Sequence, residues 1–388
     1  MRRRLLTLTA AVTVICWLIN AKRLFTLLFS EYLYKKDFVQ FYLMGHALRA
    51  GENMYAPLAE LAARFDPSVD KWLLISAYPP IVALIGLPLS YLPYFWSVIA
   101  WMVFELGCLV AAVILIVRHF GGRSAGTAVF VTVAAYLGCQ PIYMDLYLGQ
   151  VMIPILLLLT LTWLALKSEK DFLAGVLLGI VIAIKLYAWP IALFLLIKGR
   201  WRAPVAAVAV FIAANGLMTL LVGTSTILDY YFRVGGAVLA EYIHDPFNFS
   251  AWSVGFRYAG IAGGGVAVLT LLSFALALAL RSKDFDTGFM VMLAASTILQ
   301  PISWIHYVVT LLPAFCFIAN RREFRVSDLT LSWVLILLIV PGFHHVAHSY
   351  PALASWPPLL FILGLMWLIV PKPTREASEI SCLAAETT

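Results

Sequence analysis

The sequence predicts an all-α, polytopic integral membrane protein, and three observations carry that expectation. Of 388 residues, 63% are hydrophobic and only 12% are charged, whereas a soluble domain carries about a quarter charged residues. The mean hydropathy is +0.93. Apolar runs recur along the whole chain, at 5–28, 94–117, 126–139, 151–167, 172–184, 187–198, 203–222, 261–280, 287–299, 305–319, 328–341 and 357–370. A soluble fold has too little interior to hide so much apolar surface, so lipid must act as solvent. These runs predict about twelve transmembrane segments in a single domain spanning 1–388.

The first run follows Arg2, Arg3 and Arg4. Asn20, Lys22 and Arg23 stand beyond it where a signal peptide would have a small-residue cleavage site, so it reads as an uncleaved helix. A further helix is expected from Phe38 to Ala50, with Gly51 closing it as a C′ residue does. The apolar stretch 78–92 is punctuated by Pro79, Pro80, Pro88 and Pro93. Prolines remove backbone donors and clash with the preceding turn, which predicts a re-entrant or half-membrane element.

Charge orders the rest. With a cytoplasmic N-terminus, the basic clusters at 118–123, 167–170, 198–202, 281–283, 321–325 and 372–375 all fall inside, as the positive-inside rule requires. Counting 78–92 as a full span would reverse every later loop. The same parity requires 172–198 to be a hairpin bent near 185–189, because a single helix would strand 198–202 outside. The long loops 31–77, 140–150, 223–260, 300–304 and 343–356 then face the periplasm, and both termini lie in the cytoplasm. The net charge of +7 belongs to the inner loops rather than to a nucleic-acid surface. The five cysteines, Cys16, Cys108, Cys139, Cys316 and Cys382, show no metal or disulfide spacing.

Several polar residues stand where chemistry is possible. In Lys36-Asp37-Phe38, a carboxylate beyond the first helix can act as general base toward an acceptor hydroxyl, or can cap the following helix. Lys185 interrupts an apolar run, where a lysine is costly and a functional candidate; snorkelling is the other reading. Arg257 offers a bidentate phosphate donor, or a lipid-headgroup contact. His306 can bond a phosphate or a sugar hydroxyl, or sit satisfied in the interior. Asp145 can orient an acceptor, or solvate a turn. His344, His345 and His348 lack the carboxylate company of a metal site. No phosphate loop, dinucleotide fingerprint or hydrolase elbow occurs.

Together these pieces resemble the family 87 glycosyltransferases over roughly residues 35–320. The similar pieces stand in order: Asp37-Phe38 with Gly51 and Tyr55; Tyr78-Pro79-Pro80; Gly149-Gln150-Val151; Gly175 and Gly179 leading to Lys185; Asn248-Phe249-Ser250 with Arg257; and Pro301-Ile302-Ser303-Trp304 with His306. Met152 and Gln300 depart from the usual family residues. The resemblance implies a GT-C-type fold in a bacterial inner membrane, with the active site facing the periplasm. It implies inverting transfer of a sugar, most often mannose, from a polyprenyl-phosphate donor to a glycolipid, polysaccharide or protein acceptor. It casts Asp37 as the base and Lys185, Arg257 and His306 as donor-phosphate ligands. Asp145, Gln150, Tyr78, Asn248 and Trp304 become sugar- and acceptor-binding residues. No cofactor, metal or nucleic acid is expected. Two rival classes share the composition: a lipid-linked oligosaccharide polymerase or ligase, and a lipid or sugar transporter.

Overall fold

The computed structural model describes residues 2–69, 75–120, 126–320 and 355–370, and within them every regular element is helical. Helix α1 (Arg2–Leu27) leads through a 3₁₀ turn (Glu31–Lys35) into α2 (Phe38–Ala50) and the short α3 (Leu58–Phe65). Gly51 stops α2 in the left-handed region (φ 69), and the N–H of Glu52 closes on the carbonyl of Ala47 at 2.9 Å.

The proline-punctuated stretch forms a 3₁₀ turn (Pro80–Val82) running into α4 (Ala83–Leu89). Ten helical residues rise only about 15 Å, too little to cross a bilayer. This element lies against α2, with the backbone of Gly86 pressed onto Gly45 and Phe41. No side chain fits at either glycine.

Next come α5 (Tyr94–Phe120), α6 (Gly126–Leu137), α7 (Gln140–Leu148), α8 (Met152–Lys167), α9 (Asp171–Ile184), α10 (Trp189–Ile197) and α11 (Arg202–Val222). Two short helices, α12 (Thr224–Asp229) and α13 (Gly235–Tyr242), precede α14 (Ala251–Arg281), α15 (Phe285–Ser296), α16 (Leu312–Ala319) and α17 (Trp356–Ile369). Helix α14 breaks at Ala259 and Gly260 and folds back on itself, so that Trp252 packs on Gly264 and the backbones of Gly255 and Gly263 touch.

Three of these helices, α5, α11 and α14, are long and apolar enough to cross a membrane, and 129–148 forms a fourth candidate bent by 45°. The other described runs are helical where expected but shorter, and α15 is buried from Thr287 to Ser296. Hydropathy counts a helix sealed inside a bundle as it counts one facing lipid, so run length alone does not separate the two. The run 328–341, the clusters 321–325 and 372–375 and the histidines His344, His345 and His348 lie outside the described residues.

Helices α9 and α11 meet through small residues. A methyl group added at Gly175 would stand 2.7 Å from Ala206 Cβ, and one at Gly179 would stand 2.7 Å from Val210 Cβ. Close backbone approach of this kind is how helices associate where lipid offers no hydrophobic drive.

Basic residues that end α8 and follow α10 gather at one end of the bundle. Arg200 Nε donates to Asp171 at 3.0 Å, and its Nη2 to the carbonyl of Leu166 at 2.7 Å. That contact brings the two ends of α9–α10 together, so 171–200 doubles back as the charge parity demanded. Beside it Lys167 pairs with Asp286 at 2.5 Å, and Trp163, stacked on Phe120, donates to the same carboxylate at 2.9 Å.

Candidate active site

Asp37 opens α2, yet its carboxylate accepts no hydrogen bond from the helix N-terminus. Instead Gln150 Nε2 donates to Asp37 Oδ2 at 2.5 Å. The phenol of Tyr78 donates in turn to Gln150 Oε1. Tyr78 is itself pinned, its carbonyl accepting from Tyr55 Oη at 2.8 Å and its ring set edge-on to Phe41. Three segments remote in sequence thus hold one carboxylate, through a chain Tyr78–Gln150–Asp37.

Gly149 makes this possible. Helix α7 ends there in the left-handed region (φ 66), which favours glycine. A methyl group at 149 would also lie 2.9 Å from Lys36 Cε and 2.9 Å from Phe38 Cβ. The Lys36 stem fills that notch. It is 2% exposed, and its ammonium donates to the carbonyl of Leu146 at 3.3 Å. Burial pushes the Lys36 ammonium down to about 8, opposed by Glu105, Asp37 and Asp145.

Lys185 ends α9 in extended backbone and is followed by Ala188 at φ 64, the strained turn that starts α10 ahead of Pro190. Its ammonium lies 4.1 Å from the ring centre of Tyr307 and 5.6 Å from that of Tyr78, a cation–π seat. His306 follows Trp304 in a 3₁₀ segment, is 3% exposed, and finds no partner for Nε2 among the described residues.

A knot of hydrogen bonds fixes that segment. Asn248 Oδ1 accepts from the backbone of Ser250 at 3.1 Å and of Ser303 at 2.9 Å, and Ser250 Oγ donates to the carbonyl of Pro301 at 2.9 Å. Arg257 ties the same turn from outside. Its guanidinium donates to the carbonyls of Asp245 and Asn248 and to the hydroxyls of Ser253 and Ser355.

A cavity of 670 Å³ opens over these groups, within the usual range for a ligand pocket. Asp37, Tyr78, Gln150, Lys185, Trp304 and His306 line it. Asn248 and Arg257 do not; they are spent on the knot. Asp145 is not on the wall either. It is fully buried behind it, with Oδ2 accepting from the backbone of Ile153 at 2.9 Å at the start of α8. The wall also carries Lys36, Gln40 and Tyr242, which were not expected from the sequence. For Lys36 the available signal was its adjacency to Asp37. Among the described residues no three His, Cys, Asp or Glu side chains gather as metal ligands do.

No solved structure matches the chain. A relative from Mycobacterium tuberculosis, a polyprenol-phosphate-mannose-dependent alpha-(1-2)-phosphatidylinositol pentamannoside mannosyltransferase, is 28% identical over 306 residues, covering 75% of this chain and 68% of its own. Its Mycolicibacterium smegmatis namesake is 29% identical over 61% of this chain and 59% of its own. An alpha-(1->3)-arabinofuranosyltransferase from M. tuberculosis is 26% identical over 75% of this chain and 63% of its own. The chain therefore spans less than two thirds of the length of the last two. The sequence model of Glycosyltransferase family 87 matches residues 77–301. That match takes in Tyr78, Gln150 and Lys185 and leaves Asp37, Trp304 and His306 outside. As it covers more than half of the 388 residues, the chain belongs to glycosyltransferase family 87.

Proposed function

We propose that this protein transfers a sugar, with mannose the first candidate, from a polyprenyl-phosphate donor to an acceptor hydroxyl by inverting displacement, with Asp37 as general base. The observation that carries the reading is the Asp37 carboxylate gripped by Gln150 in a cavity whose other wall holds Lys185 and His306. The acceptor oxygen attacks the anomeric carbon as the bond from that carbon to the phosphate oxygen breaks. The acceptor proton passes to Asp37, and the electron pair of the broken bond leaves with the phosphate. The donor phosphate goes from one negative charge to two. Fixed cations aimed at developing charge are a large source of rate enhancement. Lys185 lines the cavity and suits that task, with His306 beside it on the wall as a hydrogen-bonding partner; Arg257, already engaged with protein acceptors, is better suited to hold the turn beneath them. Trp304, set edge-on to Tyr242, offers a sugar-stacking face.

The relatives named for phosphatidylinositol mannosides favour a glycolipid acceptor over a polysaccharide or a protein. The test is product identity. Purified protein given polyprenyl-phosphate sugars, mannose and arabinofuranose among them, is expected to release polyprenyl phosphate. Release of polyprenyl diphosphate from a diphosphate-linked donor would point to a polymerase or ligase, and release of neither to a transporter.

The same reading places the basic end of the bundle in the cytoplasm and the cavity at the periplasmic face of the inner membrane. Support comes from the clustering of Lys167, Arg200 and the start of α15 at one end. In a cysteine-free background, Ser68→Cys is expected to react with a membrane-impermeant maleimide in intact cells and Ser168→Cys only after lysis. The opposite pattern would invert the orientation.

A further inference from the structure

Gln150 stands on a turn that Asp145 clasps from both sides. The N–H groups of Gly149 and Gln150 donate to the Asp145 carbonyl at 2.8 and 3.0 Å, and its carboxylate accepts from the N–H of Ile153 at 2.9 Å. One residue of α7 therefore ties the turn to the start of α8. The Gln150 side chain leaves this clasp buried, with both ends of its amide engaged by protein: Nε2 by Asp37 and Oε1 by Tyr78. An ionised carboxylate only accepts. The amide must then turn its nitrogen to Asp37 and its oxygen to the phenol, which must donate. Tyr78 is fixed in its own right, through its carbonyl by Tyr55 at 2.8 Å and through its ring by Phe41.

We propose that Gln150 is a positioning residue for the base, with the Tyr78 phenol as the lock on its amide, and not a ligand of sugar or acceptor. This rests on the reading of Asp37 as the base. With Oδ2 held at 2.5 Å by an amide that is itself held at its other end, the plane of the carboxylate is set before substrate arrives. Helix α2 gives Asp37 no such aim, since the side chain makes no cap bond to it. A sugar ligand needs its hydrogen-bonding atoms turned to the cavity, whereas those of Gln150 are engaged within the wall.

The experiment is steady-state and single-turnover kinetics on full-length, detergent-purified protein, with polyprenyl-phosphate mannose as donor and a phosphatidylinositol mannoside as acceptor. The variants are Gln150→Leu, Tyr78→Phe, Asp37→Asn, and Gln150→Leu paired with each of the other two. Per folded enzyme, Gln150→Leu is expected to lose at least tenfold in kcat, because a misplacement of about 1 Å costs on the order of 10² in rate. Donor and acceptor KM should stay within about twofold. Tyr78→Phe keeps the ring against Phe41 and near Lys185 and removes only the phenol. It should lose about three- to tenfold in kcat, the worth of one neutral hydrogen bond. Neither pair should lose more than its more damaged member, because Tyr78 acts through Gln150 and Gln150 through Asp37. Wild-type kcat in Gln150→Leu overturns the proposal. So does a KM raised about tenfold with kcat kept, the mark of a sugar or acceptor ligand, and so do losses that multiply in the pairs. A lower melting temperature with kcat per folded molecule unchanged, the mark of a merely structural amide, overturns it too. Near-normal turnover in Asp37→Asn removes the base assignment and this inference with it, whereas an inactive Asp37→Asn beside a normal Gln150→Leu sinks the inference alone.

Discussion

Asp37→Asn is expected to bind donor normally and to lose about 10³-fold in kcat, within the range that general-base catalysis supplies. Asparagine keeps the shape, and its side-chain oxygen can still accept from Gln150, but it takes no proton. The competing role for this residue was helix capping, for which asparagine is as good as aspartate. In the folded protein Asp37 makes no side-chain cap bond to α2, so capping offers no reason for a loss in either variant. Asp37→Glu should also be poor. At 2.5 Å from Gln150 there is no room for another methylene without moving the carboxylate by about an ångström, worth on the order of 10² in rate. The measurement is single-turnover transfer beside donor affinity. Turnover near wild type in Asp37→Asn would remove it as the base.

Lys185→Ala is expected to lose about 10²–10³ in kcat, the size of effect found when one fixed charge facing a developing anion is removed. The fold should survive, because the break at 185–188 is set by backbone, with Ala188 in the left-handed region and Pro190 behind it. Lys185→Arg should rescue poorly. The ammonium sits between two aromatic rings, at 4.1 and 5.6 Å from their centres, and a planar fork does not replace a compact charge in that seat. Wild-type kcat in the alanine variant would exclude Lys185 from phosphate binding.

What the sequence made legible was local or long-range in charge. The stop of α2 at Gly51 was readable because only glycine takes that conformation cheaply. The break after Ile184 was readable from a lysine and a proline inside an apolar run, and the doubling back of 171–200 from loop charge alone. Partners were not readable. Gln150 lies 113 residues from Asp37, and nothing near either residue announces the bond. Asn248 stood as a candidate on the family resemblance and Arg257 also as a bidentate phosphate donor; in the fold their partners are backbone groups and hydroxyls of the adjoining turns, a choice that only tertiary geometry makes. The number of spans was not readable for a related reason: run length does not reveal whether a helix faces lipid or protein.

The contact between α9 and α11 has a mechanical meaning. Glycines at two successive turns, 175 and 179, leave α9 no slack to slide or rotate against its neighbour, and the Arg200–Asp171 pair anchors its far end. Fourteen helical residues rise about 21 Å, so Lys185 is carried at a set height, short of the ~30 Å thickness of the hydrocarbon layer. On the proposed orientation, α9 works as a ruler. A lysine on a pliant tether would shift with its surroundings; this one is held at one place on the cavity wall, so a donor phosphate has to come to it.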